Sequence, residues 1–350
     1  MSMPEPALVE AVQTNCHIAD AAHAADMSLC IYLLQMREFF RWELGLAPME
    51  SMAREEVGAW LSAREALWDS LEDSSWHPLP VQGVLVDPFD VEAVNAALAP
   101  AGLVYGAGHT APGRAGFFLA DLESAQQRDG VLLRISSREH ARGLLTPPAA
   151  LADNVIYLRR ESLRRWLWEK YEAWTLRRPE GPFKAALDAY GHGSEGAAAV
   201  DRLAQAQAET LILHELGEAR VSTLFGEDWG RMRGAMNCRK TDLLLRAVRD
   251  LLADSLLTLP ALLASGDDAS VHFWFANFEG MRTELAPALP RAYAAWCAGD
   301  GGVSLRPEIA RGASHWQRVG ERAMALHRQH GLAAQPQVRQ WLESPGCMLG

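Results

Sequence analysis

Along residues 207–225 the chain places Gln207, Leu211, His214, Glu218, Val221 and Phe225 at alternating four- and three-residue spacing, the pattern of a buried helical seam. Two of the six are ionisable. His214 and Glu218 lie four residues apart and therefore share one face of the helix, where core residues are expected. Isolated charges on such a seam cost on the order of several kcal/mol each, so they must be paired, protonated or bound to a metal. A chain built around this seam is predicted to be mainly helical, with facing helices that answer the buried charge.

Two further segments repeat the pattern. A helix predicted from Ile18 to about Leu46 carries Asp20, His23, Met27, Cys30 and Leu34 at 3-4-3-4 spacing, and one predicted from Thr241 to Leu263 carries Leu243, Ala247, Asp250, Asp254, Leu257 and Ala261. The seams together offer two imidazoles and four carboxylates: His23, His214, Asp20, Glu218, Asp250 and Asp254. That inventory resembles the ligand set of helical-bundle di-iron and di-manganese carboxylate proteins. It implies a pair of irons as cofactor, with manganese or zinc as alternatives, and an oxidative or hydrolytic reaction on a small molecule. The placement departs from that group, which uses Glu-x-x-His pairs, whereas here the pairs are Asp20-x-x-His23 and His214-x-x-x-Glu218. Glu215 points about 100° away from His214 on the helical wheel and is expected to transfer protons instead of ligating. His17 joins the set if the first helix already includes it.

Two other accounts use the same residues. His214-Glu215-x-x-Glu218 is a variant of the zinc peptidase signature His-Glu-x-x-His, with Glu218 as ligand and Glu215 as general base, but it lacks the second histidine. Alternatively, Arg220, Arg246 and Arg249 flank the carboxylates closely enough for a salt-bridge network, which would make the chain a non-catalytic interaction or assembly protein.

The rest of the sequence sets limits. With 33 basic against 44 acidic residues the formal charge is -11, which disfavours non-specific coating of nucleic acid or anionic membranes. The first residues, MSMPEPALVE, read as neither secretory signal nor transit peptide, and the most apolar stretches are too short to span a bilayer, so a cytoplasmic protein is expected. The five cysteines are scattered, with no Cys-x-x-Cys, and are expected to be reduced thiols. Between residues 79 and 140 short strands at Val81–Val86, Gly116–Leu122 and Val131–Ile135 and a helix at Val91–Leu98 predict a small α/β insertion. It would divide N-terminal helices (1–78) from a C-terminal helical bundle (141–350). The glycines of residues 106–116, GAGHTAPGRAG, lack the Gly-Lys-Ser/Thr of a phosphate loop and read as a turn between strands. Helices are further predicted at Met52–Leu71, Arg160–Leu176 and His272–Ala286, followed by a less regular tail. Residues 159–178 carry seven basic and three acidic residues among Trp166, Trp168, Tyr171 and Trp174, a local surface that suits an acidic partner unless its aromatics pack inward.

The run from Asn15-Cys16-His17-Ile18-Ala19-Asp20 through Trp42-Glu43, with His214-Glu215-Leu216-Gly217-Glu218-Ala219, resembles an uncharacterised bacterial protein family. The resemblance implies a cytoplasmic family covering most of the chain, and it assigns no activity.

Overall fold

Leu8, Val12, Cys16 and Ala19 recur along one face of the first helix, α1 (Pro6–His23), and all four are buried against strand residues including Leu79, Leu103, Phe117 and Leu119. This amphipathic face packs the helix against strands and against Val94 and Leu98, which follow in the chain. A computed structural model describes residues 3–48, 50–111, 114–191 and 196–350 of the chain. It divides into two compact units, Met1–Leu176 and Arg177–Gly350.

In the first unit α1 is followed by α2 (Leu29–Glu43), α3 (Arg54–Leu71), a hairpin of β1 (Leu79–Val81) and β2 (Val84–Val86), and α4 (Val91–Leu98). The strands β3 (Leu103–Ala111), β4 (Arg114–Arg128), β5 (Val131–Arg142), β6 (Ala149–Ala152) and β7 (Val155–Arg159) form one sheet, and α5 (Arg160–Thr175) closes the unit. The sheet order is β3-β4-β5-β7-β6, antiparallel except for the β5–β7 pair. Asn95 of α4 both donates to and accepts from the Tyr105 backbone of β3, which fastens that helix to the sheet edge. The chain is mainly helical, as expected, but its sheet is larger than a small insertion: it continues through β6 and β7, inside the span 141–350 predicted as a helical bundle.

The helix predicted across 18–46 is also interrupted. α1 ends at His23, Met27 is extended, and the Ser28 hydroxyl accepts from Ile31 N to start α2 afresh. The seam from Asp20 to Leu34 is therefore broken, and Cys30 and Leu34 are exposed. Residues 106–111 and 114–116 lie in β3 and β4, as a strand-to-strand connection requires, while 112–113 lie outside the described residues. Trp168 and Trp174 of α5 are buried, and Arg159, Arg160 and Arg165 pair with Glu139, Glu123 and Glu161.

The second unit is helical throughout its described residues: α6 (Pro182–Ala189), α7 (Gly196–Phe225), α8 (Glu227–Gly234), α9 (Arg239–Ala253), α10 (Leu259–Ser265), α11 (Asp268–Ala276), α12 (Met281–Leu285), α13 (Ala288–Cys297), α14 (Leu305–His330) and α15 (Gln335–Leu342). The helix expected over His272–Ala286 is broken between α11 and α12, and the expected irregular tail contains the 26-residue α14. Its glycines are contact points: a Cβ at Gly312 would meet the Ser255 hydroxyl at 2.6 Å, and one at Gly320 the Phe225 ring at 2.4 Å. No helix among the described residues is long and apolar enough to cross a membrane.

Candidate metal centre

The candidate centre sits where α7 passes α9. Gly217 makes that crossing possible, because a Cβ there would lie 2.7 Å from the Ala253 carbonyl oxygen. Immediately after Ala253 the helix widens into a π-turn, Asp254–Thr258, which carries Asp254 inward to full burial. His214 and Glu218, one turn apart on α7, straddle Gly217 and face Asp250 and Asp254.

His214 Nδ1 lies 2.8 Å from Asp254 Oδ1, and the opposite ring nitrogen, Nε2, lies 3.4 Å from Glu218 Oε1. One ligand atom from each of His214, Glu218 and Asp250 lies within 4.8 Å of the other two. Arg249 approaches Glu218 Oε1 at 2.5 Å and Asp250 Oδ1 at 3.0 Å, and Arg282 of α12 reaches Asp254 Oδ2 at 3.5 Å. Side-chain exposures of 22 % for His214, 24 % for Asp250 and 25 % for Arg249 leave one side of the cluster open to solvent.

The electrostatics follow from this packing. Burial works against the His214 imidazolium, but the ion pair and hydrogen bond with Asp254, aided by Glu218, hold it well above the usual histidine range. Burial would raise Asp254 too, yet His214 and Arg282 hold its carboxyl below the ordinary range. Glu218 is likewise lowered, with the His214 hydrogen bond and Arg249 outweighing burial. Asp250 is raised, because burial prevails over Arg249 and His214. Glu215 has the least compensation: burial and the neighbouring Glu218 push it up to about 7.

Residues 7–159 match the N-terminal domain model, and residues 164–345 the C-terminal domain model, of a family of unknown function, DUF6866. The chain belongs to this family. No curated protein and no solved structure matches it. The candidate centre lies wholly within the family's C-terminal domain, which contains His214, Glu215, Glu218, Asp250 and Asp254.

Of the six residues singled out as ligands, four are therefore gathered in one place, with Asp254 behind His214 instead of beside it. Asp20 and His23 belong to the N-terminal domain and have different neighbours. Both Asp20 carboxylate oxygens accept from Leu144 N, at 2.9 and 3.0 Å, and burial pushes the group up to about 7. His23 ends α1 and lies 3.4 Å from Asp26. The break at Met27 removes the continuous helix on which they were grouped with a buried seam. His17, the other N-terminal candidate, is buried beside Arg64 and Trp68. Arg282 and Trp274, both partners of Asp254, were not singled out. Each lies 20 or more residues beyond Asp254 on a separate helix, where no spacing rule links them to it.

Proposed function

We propose that the C-terminal domain is a metal-dependent enzyme domain in which His214, Glu218 and Asp250 hold one divalent cation, iron or manganese in preference to zinc, and act on a small molecule. One observation carries this reading. Asp254 takes up His214 Nδ1 at 2.8 Å, which orients Nε2 toward the two carboxylates, the carboxylate–histidine arrangement that commonly backs a metal ligand. The donor set of one nitrogen and carboxylate oxygens suits those ions. A divalent cation held there supplies a Lewis acid for a substrate or water oxygen. Glu215, poised near neutrality and within the field of Glu218, His214 and Arg249, is the residue placed to accept or return a proton. Three ligand residues serve one ion, so the reading is narrower than the two-ion site that the sequence inventory implied.

A second reading is favoured by Arg249, whose guanidinium already bridges Glu218 and Asp250. In it the cluster is a buried salt-bridge network that fixes how α7 and α9 pack, and the chain is a non-catalytic interaction or assembly protein. Elemental analysis of the chain purified without a chelating tag, aerobically and anaerobically, together with Mn²⁺ titration, separates the two. The enzyme reading expects about one ion per chain in the wild type and loss of that ion in Glu218→Gln and Asp250→Asn, with helical content retained. No metal under either preparation and no Mn²⁺ binding would leave the salt-bridge network as the account of the cluster.

A further inference from the structure

His17 is 7 % exposed, and every side chain that bonds its ring presents a donor. Trp68 Nε1 donates to Nδ1 at 3.3 Å, Arg64 Nη1 lies 2.5 Å from Nε2, and Gln13 Nε2 lies 3.3 Å from the same nitrogen. The Gln13 amide cannot turn its oxygen toward the ring, because that oxygen accepts from Arg142 N at 3.1 Å while its nitrogen donates to Arg142 O at 3.0 Å. Arginine and tryptophan have no acceptor to offer. A neutral imidazole has one N–H and one lone pair, so in either tautomer one ring N–H faces a donor. Burial and Arg64 together lower the His17 pKa to about 3, so an imidazolium does not arise near neutrality.

This donor excess borders a cavity of about 900 Å³ formed entirely by residues of the first unit. Arg64 and Arg138 also line it, as do Trp42, Val9 and Pro6. Arg64 is held by Glu43 and by the faces of Phe39 and Trp60, at 5.3 and 5.0 Å. Arg138 is exposed and has no ion-pair partner among the described residues. The Glu139 and Glu161 carboxylates on the same wall are engaged by Arg159 and Arg165. The volume lies within the range of small-molecule sites and far exceeds a bare inorganic ion.

We infer that this cavity binds a small organic anion, whose carboxylate or phosphate group accepts from Arg138 and from Arg64, beside the donor-crowded His17 ring, while its organic part lies against Trp42 and Val9. The inference is independent of the metal reading, since it uses no residue of the C-terminal domain.

The test is isothermal titration of the full chain with phenyl phosphate, benzoate and neutral benzamide at one ionic strength. Saturable binding of either anion at one site per chain, no saturable binding of benzamide, and a loss of about tenfold or more in Arg138→Ala are expected, as for removal of a charge-assisted hydrogen bond. Which anion binds more tightly distinguishes a phosphate ester from a carboxylic acid as the natural class. Arg138 is exposed, so its replacement leaves the fold in place, which circular dichroism verifies. The inference is overturned if neither anion saturates, if benzamide binds equally well, or if Arg138→Ala binds like the wild type.

Discussion

A methyl group at position 217 would act directly on the crossing that assembles the candidate centre. In Gly217→Ala the new Cβ falls 2.7 Å from the Ala253 carbonyl oxygen, and 3.0 and 3.1 Å from the carbonyl carbon and Cα, where ordinary contact begins at 3.4 Å. Backbone atoms cannot rotate away, so α7 and α9 must part by roughly 0.7 Å. His214 Nδ1 and Asp254 Oδ1, now 2.8 Å apart, then separate to roughly 3.5 Å, beyond a useful hydrogen bond. Overpacking costs about 1–3 kcal/mol. The lost charge-assisted bond adds about 1.5–3 kcal/mol. Alanine returns about 0.5–1 kcal/mol through its better helix propensity. The expected net destabilisation is therefore about 1.5–5.5 kcal/mol, read from urea unfolding followed by circular dichroism, and Mn²⁺ affinity measured by calorimetry should fall with it. A variant stabilised by the propensity gain alone, with unchanged Mn²⁺ affinity, would show that the crossing does not set the geometry of the site.

Asp254→Asn keeps the shape of the side chain but weakens its hold on His214, so Mn²⁺ affinity is expected to fall about tenfold to a hundredfold by calorimetry, as for loss of a group that orients a ligand. Arg249→Met removes the cation that bridges Glu218 and Asp250. The metal-free variant should lose about 3–5 kcal/mol in urea unfolding, and added Mn²⁺ should recover part of it and bind more tightly than to the wild type. Destabilisation without recovery would favour the salt-bridge network. In the first unit, burial raises Asp20 from an ordinary carboxylate value to about 7, so its contribution to stability is complete below about pH 4 and is lost as pH rises through 7. Asp20→Asn does not share that loss, and its stability relative to the wild type should improve by on the order of 3 kcal/mol between pH 5 and 8 in parallel urea titrations; no pH-dependent difference would show that Asp20 is not held protonated.

Much of the C-terminal site was legible because one local rule governs it. His214 and Glu218 share a face by their spacing alone, and Asp250 and Asp254 share the next one, so pattern brought both helices to a common seam. Their separate roles were not legible. Asp254 stands behind His214 because the helix widens into a π-turn there, a change of pitch that the regular spacing of Leu243 to Ala261 does not announce. In the first unit the spacing misled: Asp20 to Leu34 fits a seam over five positions, yet Ser28 competes for the backbone as a cap and splits the helix beneath it. The strands β6 and β7 were missed because Ala149–Ala152 is an alanine-rich stretch with weak strand propensity, stabilised as an edge by pairing with the apolar β7. The donor excess at His17 depends on Arg64, Trp68 and Gln13 arriving from positions up to 51 residues away, a convergence that no local pattern encodes.

The charges around His214 explain why such a cluster persists in either form. Without a metal, the imidazolium, Arg249 and Arg282 offset Glu218, Asp254 and Asp250, so each of these three carboxylates has a cation beside it. The proposed metal would take over two of those roles, replacing the proton on His214 and the guanidinium at Glu218 and Asp250. It would leave the Asp254–Arg282 pair untouched. Arg249, with a quarter of its side chain in solvent, can withdraw without unpacking the core, whereas Asp254 is fixed at the start of the π-turn. Any exchange of cations would therefore be confined to the open side of the cluster, and the His214–Asp254 contact on the closed side is the part that both readings require.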